Sequence, residues 1–471
     1  MDLLPAKDLI INRAFNYTKG QLEALDRVVT WSKNSDYSPF TLSGFAGTGK
    51  TTISKDIVRN ISGKVACTAP THKAARISAT AIGTESCTIH SLLGLRPNID
   101  LINFDANNPQ FDILAAANIR NYSHILVDEC SMINKGLFNL LIKESIRYKV
   151  KLLFIGDPYQ LPPVGENYSL TFSVNNIYNL TEIVRQEEDN PIIQLLVMAR
   201  DDVKNRSHKL VEFVSKRNSR YNSTTDSGYI IANPVHFSEL IHDKFTSSDF
   251  EKNIDFCRYL SFTNDSVSDV NNYIRRLLFG EAKESVIKDD LFTSYSTIFN
   301  EFNTVILANS EDYIIDSIMN YNNQYLLSGY MVTLRKINGG EVTPNLCIIE
   351  DNIPENINRY KLLITELLAK TKSNSSITRS KAWEKFYEFK NYNLLLNDII
   401  ADNKVLAKKS LDYGFGLTVH KSQGSTFENA FINIKDIVYN KNGIPYHDTN
   451  LRNRLLYVAL SRARNNLYLL I

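Results

Sequence analysis

Apolar residues along the chain fall into two rhythms. Residues 40–43, 64–68, 124–127 and 151–155 are short continuous apolar runs, the pattern of strands buried on both faces. Residues 22–28 and 53–61 instead place apolar side chains three or four apart, which predicts helices. The same alternation returns in the second half. Runs at 256–264, 427–434 and 466–471 predict strands, and Val267, Val270, Ile274 and Leu277 mark a helix with Arg275 and Arg276 on its polar side. Residues 451–464 have helical spacing and carry Arg462 near their end.

Two segments break the rhythm. Residues 95–118, rich in Asp, Asn and Pro, read either as two short strands joined by a polar turn or as a surface loop. Residues 281–410 hold strand-like runs at 305–307, 324–327 and 330–334, with Asn338-Gly339-Gly340 as a hairpin turn. Trp383, Phe386, Tyr387 and Tyr392 follow at near-helical intervals, a spacing that favours core packing over an exposed stacking surface.

At 471 residues the chain is too long for one core. Lys and Arg number 53 against 51 Asp and Glu, so a nucleic-acid partner must be held by a local groove rather than by the global field. The five cysteines are scattered, with no zinc spacing, as in a reducing cytoplasm. Neither a signal-peptide core nor an apolar run of membrane-spanning length is present, so a soluble cytoplasmic protein with no membrane partner is expected.

The strongest chemical signal is GFAGTGKTT, residues 44–52, set between a predicted strand and a predicted helix. Gly44, Gly47 and Gly49 allow the backbone to turn its N–H groups around two phosphates, with Ala46, Thr48 and Thr52 completing the loop. Lys50 then reaches the β- and γ-phosphates and the Thr51 hydroxyl holds Mg²⁺. A glycine turn without ligand is the plain alternative.

Asp128 and Glu129 end a buried run downstream of this loop. In that order they suit a metal-holding carboxylate and a base that polarises the attacking water. Gln160 is placed to sense a γ-phosphate, and Arg185 to donate to a transferring phosphoryl group. Gln21, opening a helix upstream, is either an adenine reader or a surface glutamine. Pro70-Thr71-His72 and Thr88-Ile89-His90 put small hydroxyl and imidazole groups at strand ends, where a phosphodiester backbone could lie or where a polar loop would do as well.

Taken together, Gln21, GFAGTGKTT, TAPTHKAA, TIHS, VDECSM, GDPYQLPPV, LTEIVRQ, LSFTN, YGFGLTVHKSQGSTF and LLYVALSRAR resemble the ordered motifs of superfamily 1 helicases. They are most similar to the Dda-type phage group, a relative of the RecD group, over nearly the whole chain. The resemblance implies an α/β fold of two RecA-like domains with parallel sheets. The first comprises 1–94 and 119–188 with an inserted hairpin at 95–118, and the second 189–280 and 411–471 with a small inserted β-barrel and helical projection at 281–410. ATP and Mg²⁺ would lie between the two. Arg185 and Arg462 would approach the γ-phosphate, with Gln423 and Gly424 at the nucleotide. Thr71, His72, Thr88, His90, Thr263, Asn264, Thr418, His420 and Ser422 would contact single-stranded DNA, and Phe104 or Phe111 would wedge the duplex apart.

The implied activity is ATP-driven translocation on single-stranded DNA, 5′ to 3′, with unwinding at single-strand/duplex junctions in replication, recombination or repair. A monomer in the cytoplasm, the host's if phage-encoded, is expected, with a single-strand-binding protein or replication factors as further partners. An RNA-directed superfamily 1 enzyme, or a nucleotide-gated strand-binding ATPase without unwinding, would carry the same ATP motifs.

Overall fold

Because the apolar runs of the first 180 residues are flanked by helices on both sides, they assemble as a parallel sheet covered on both faces. The computed structural model describes residues 9–12, 15–97, 111–113, 115–184, 190–281, 284–300, 304–337, 339–372 and 376–471. The order is α1 (Lys19–Lys33), β1 (Phe40–Gly44), α2 (Lys50–Asn60), β2 (Val65–Ala69), α3 (His72–Ile82), β3 (Glu85–Thr88), α4 (Ile89–Leu93), β4 (Leu95–Pro97), β5 (Phe111–Ile113), β6 (His124–Val127), α5 (Lys135–Tyr148), β7 (Lys151–Gly156) and β8 (Asn176–Leu180). Six of these strands form a sheet in the order β3-β2-β6-β7-β1-β8, parallel at every pairing. β1, β6 and β7 are buried at every position. β8 was not expected from the apolar pattern, since Asn176 and Asn179 interrupt it.

Later strands are β9 (Arg220–Asn222), β10 (Ser227–Ala232), β11 (Cys257–Ser261), β12 (Leu291–Ser294), β13 (Ile298–Phe299), β14 (Val305–Leu307), β15 (Asp312–Asn322), β16 (Ser328–Lys336), β17 (Leu346–Ile349), β18 (Asn393–Leu394), β19 (Ile399–Ala401), β20 (Lys404–Ala407), β21 (Leu411–Tyr413), β22 (Gly416–Thr418), β23 (Phe427–Asn433) and β24 (Ala463–Leu470). A second sheet runs β22-β11-β23-β24-β10-β9, parallel except for β9. Both sheets belong to one compact unit. The first sheet has its own core, in which Leu42, Leu126 and Leu153 pack with Leu25 and Ile57. In the core of the second, Leu195 and Val203 of helix Ile192–Asn205 and Leu456 and Leu460 of helix Thr449–Leu460 cluster with Leu161, and Phe45 and Ala46 pack against them.

The other unit contains the sheet β18-β17-β16-β15-β12-β21, antiparallel except for β17–β18, together with helices Pro354–Lys370 and Ser376–Tyr392. The β4–β5 hairpin also belongs to it, with Arg96 over the Phe299 ring at 5.8 Å. Trp383 and Phe386 are buried against Tyr360 and Phe389, as their spacing suggested, with Tyr387 partly buried beside them, but Tyr392 at the helix end is 42 % exposed and not in the core.

Two expectations differ here. Residues 324–327 are not a strand but the turn joining β15 to β16, where the Asn323 side-chain oxygen accepts the N–H groups of Tyr325 and Leu327. Arg275 is not on a polar face: it is 8 % exposed and makes a two-point ion pair with buried Asp290, at 2.8 and 3.0 Å. A charged side chain is tolerated inside because its partner lies in the same unit, beyond the reach of any helical periodicity. Among the described residues, no helix is long and apolar enough to cross a membrane.

Candidate nucleotide and strand-binding site

In a parallel sheet the carboxyl ends of the strands share one edge, so residues remote in sequence converge there. The glycine loop leaves β1, Asp128 and Glu129 leave β6, and Asp157 leaves β7. Gly49 takes a left-handed φ of +72°, and a Cβ there would come 2.3 Å from Gln21 Nε2. The left-handed backbone favours glycine at this point, and any side chain would also displace the Gln21 amide.

Gln21 itself is 3 % exposed. Its side-chain oxygen accepts the Thr18 N–H in a capping box, and its amide donates to the Thr48 carbonyl at 3.0 Å. As placed, the amide braces the glycine loop instead of presenting a free edge to a base. Thr48 is likewise internal: fully buried, its hydroxyl donates to the Phe45 carbonyl at 2.8 Å. Lys50 Nζ donates to the Gly44 and Phe45 carbonyls at 2.6 and 3.1 Å, and Thr51 is exposed at the start of α2. Arg185 and Phe104 lie outside the described residues.

Asp128 accepts hydrogen bonds from the Glu129 N–H at 2.8 Å and from the Ser78 hydroxyl. Glu129 has φ +49°, a left-handed conformation uncommon for a side chain of its size. Burial, reinforced by the Asp128 charge, pushes its carboxyl up to about 7, while Arg462 and Lys50 pull the other way. A half-buried acid poised near neutrality suits a general base.

Arg462 comes from the second sheet's side and is 5 % exposed. Its guanidinium donates to the carbonyls of Val458 (3.1 Å) and Ser425 (3.0 Å) and to the Ser461 hydroxyl (3.0 Å), and it acts electrostatically on Glu129 and Asp157. Gly424, at φ +73°, packs on Ala74 and Glu129. The elements expected at the nucleotide therefore do converge, and they bring Asp157, Tyr457 and Arg454 with them. Asp157 and Tyr457 lie within the motifs GDPYQLPPV and LLYVALSRAR, but their pairing, across 300 positions, leaves no local signal.

A phosphate oxygen fits one group left over here, the Gln423 Nε2 donor, whereas Gln160 Oε1 is an acceptor that suits a water or hydroxyl. Gln160 and Gln423 are each 7 % exposed, and Gln160 Oε1 and Gln423 Nε2 are buried polar atoms without a hydrogen-bond partner. Such orphans are costly unless a ligand or solvent satisfies them. Among the described residues no cluster of three or more His, Cys, Asp or Glu could cage a metal.

The residues expected at the strand are less uniform. Pro70, Thr71 and His72 are half-buried at the start of α3, where the Thr71 hydroxyl caps the Ala74 N–H. Thr88 is 6 % exposed and its hydroxyl caps the Ser91 N–H in α4, so as placed it holds His90 rather than facing solvent. Burial lowers the His90 imidazole below its ordinary value, which favours the neutral ring. Ser422 is fully buried, with its hydroxyl on the Val419 carbonyl at 2.8 Å, and offers nothing to a strand in this arrangement. The Thr263 hydroxyl donates to Asp436 at 2.7 Å, and Asp436 also accepts the N–H groups of Phe262 and Thr263, both at 2.8 Å. Asn264 and His420 are exposed, Thr418 is half-buried, and the His420 ring lies 6.1 Å from that of Phe262. Phe111, on β5, is 41 % exposed.

Comparison with known proteins agrees with this layout. Residues 16–218 match a family model described as an AAA domain, and residues 413–470 one described as a UvrD-like helicase C-terminal domain. An uncharacterised protein of Acanthamoeba polyphaga mimivirus is 26 % identical, over 96 % of this chain and 98 % of that protein. The ATP-dependent DNA helicase dda of Enterobacteria phage T4 is 25 % identical, again over 96 % and 98 %. Among solved structures, the Pif1 helicase from Bacteroides in complex with ADP-AlF3 and ssDNA has a similar fold, with a TM-score of 0.50 at 16 % identity, covering 96 % of this chain and 92 % of that one. With its motifs in order, its two largely parallel sheets meeting at the glycine loop and these likenesses along its length, the chain is similar throughout to the superfamily 1 helicases of the RecD/Dda type.

Proposed function

We propose that the protein is an ATP-dependent DNA helicase that moves along single-stranded DNA, 5′ to 3′, and opens duplexes at its junctions. The observation that carries this is the meeting of Glu129, from the first sheet, with Arg462 and Gly424, from the second. A nucleotide held there touches both lobes, so its arrival and hydrolysis bias how they sit together. The similarity to a phage ATP-dependent DNA helicase supports the substrate, as does the fold shared with a helicase crystallised on ssDNA.

In this reading residues 44–52 cradle the phosphates and Lys50 exchanges its two carbonyl partners for phosphate oxygens. Glu129 takes the proton of the attacking water, and Arg462 steadies the charge that develops on the transferred group. Thr51 and Asp128 would hold Mg²⁺, which supplies charge neutralisation on the phosphates when bound. Gln160 and Gln423, each with an orphaned amide atom, would report the occupied seat to the strand-contacting loops. The strand would run past His72, His90, Asn264, Thr418 and His420, and Phe111 would stand at the fork.

We assign the two parallel sheets to the two motor lobes, and the β4–β5 hairpin and antiparallel sheet to their insertions. The deciding experiment is unwinding of duplexes carrying a 5′ or a 3′ tail, with and without ATP. ATP-dependent opening of the 5′-tailed duplex is expected. Strand binding without opening would favour a nucleotide-gated binding factor, and stimulation of hydrolysis by RNA alone an RNA-directed enzyme.

A further inference from the structure

Tyr457 stands on helix Thr449–Leu460, the helix that leads into Arg462. Its hydroxyl accepts the Ala46 N–H of the glycine loop at 3.1 Å and donates to Oδ2 of Asp157 at 2.6 Å. The other Asp157 oxygen accepts the Tyr159 N–H at 2.9 Å. Tyr457 and Asp157 are each 1 % exposed, so these polar atoms depend on one another for partners. One turn earlier on the same helix, Arg454 donates to the carbonyls of Pro158, at 2.7 Å, and Gln160. The helix is thus fastened to the loop after β7 at two successive turns. The Tyr159 ring, 6.4 Å away, meets the Tyr457 ring edge-on and fills the space beside the joint.

We propose that Tyr457 is a positioning residue whose hydroxyl joins the glycine loop, Asp157 and helix Thr449–Leu460, so that Arg462 is held at the nucleotide seat. The proposal rests on residues 44–52 being that seat. A hydroxyl is needed because it must accept from an N–H and donate to a carboxylate at once, which no apolar or donor-only ring can do. Without it the Ala46 N–H and Asp157 Oδ2 are left buried and unpaired, and the cheapest relief is for the helix to draw away. Arg462 moves with that helix. The loss then falls on the transition state, where the arginine acts, and not on nucleotide binding, which the glycine loop and Lys50 supply.

The test is steady-state ATP hydrolysis at saturating single-stranded DNA for wild type, Y457F, D157N and the double variant. Y457F should lower kcat about ten-fold, the loss of a hydrogen bond to a charged group, with the KM for ATP within about two-fold of wild type. The double variant should be no worse than the poorer single, because Asp157 acts on the helix through the Tyr457 hydroxyl that Y457F already removes. Arg454→Ala, which cuts the neighbouring tie from a half-buried position, should show the same split between kcat and KM, and it decides the matter if Y457F melts below the assay temperature. An unchanged kcat, a loss explained by KM, or additive losses would overturn the tie alone. Wild-type protein that fails to hydrolyse ATP would overturn the functional reading and the tie with it.

Discussion

Gly424 lies so close to Ala74 that a Cβ on the glycine would stand 2.7 Å from the alanine Cβ and 3.8 Å from Glu129 Cγ. A loop from the second sheet's side is thereby pressed onto α3 and the acidic pair of the first. Gly424→Ala adds a methyl where there is no room and forces a side chain into φ +73°. It should lower strand-stimulated ATP hydrolysis by about ten-fold or more, on the order of 2 kcal/mol of lost closure. A variant with wild-type turnover would mean that the contact is dispensable.

Lys50→Ala and Glu129→Gln should each reduce strand-stimulated hydrolysis by about 10² to 10⁴-fold, the usual scale for a general base. They should part company in binding. Glu129→Gln leaves the phosphate cradle untouched, so fluorescent ATP titration should return near wild-type affinity, and weak binding by this variant would count against the base assignment.

Burial and the adjoining Asp128 raise Glu129 from 4.5 to about 7. Between those values the folded protein keeps a proton that the unfolded chain releases. The contribution of this group to stability is therefore fully present below pH 4.5 and is lost as pH rises through about 7, by on the order of 3 kcal/mol. Thermal melting of nucleotide-free protein should show wild type losing ground to Glu129→Gln between about pH 5 and about pH 7.5. A difference that stays flat across that window would show the carboxylate already ionised in the acid range.

Asp436 takes hydrogen bonds from the Ser261 and Thr263 hydroxyls and from two backbone N–H groups. Asp436→Ala strands four donors at once, and should cost about 2 to 4 kcal/mol in denaturant unfolding. Asp436→Asn, which keeps acceptor oxygen for part of the set, should lose less. Equal losses would assign the effect to charge instead of hydrogen bonding.

Phe111 is an exposed aromatic on the short β4–β5 hairpin. Phe111→Ala should slow opening of a tailed duplex by several-fold, about 1 kcal/mol, while strand-stimulated hydrolysis stays within about two-fold. Equal loss of both activities would remove it from the role of wedge.

Features that depend on neighbours in the chain were legible before any coordinates. The glycine loop between strand and helix, the Asp128-Glu129 pair at a strand end and the buried runs that became β1, β6 and β7 all follow from spacing and local periodicity. The core role of Trp383 and Phe386 was legible for the same reason. Tertiary structure decided how polar groups are paired, because a partner can lie anywhere. Gln21 braces Thr48, the Thr263 hydroxyl reaches Asp436 across 173 positions, Tyr457 meets Asp157 across 300, and Arg275 is buried on Asp290. A hydrogen bond is satisfied by proximity in space, and a parallel sheet gathers its strand ends along one edge whatever their distance in sequence. That gathering places Glu129 beside Arg462, a pairing that neither segment encodes alone.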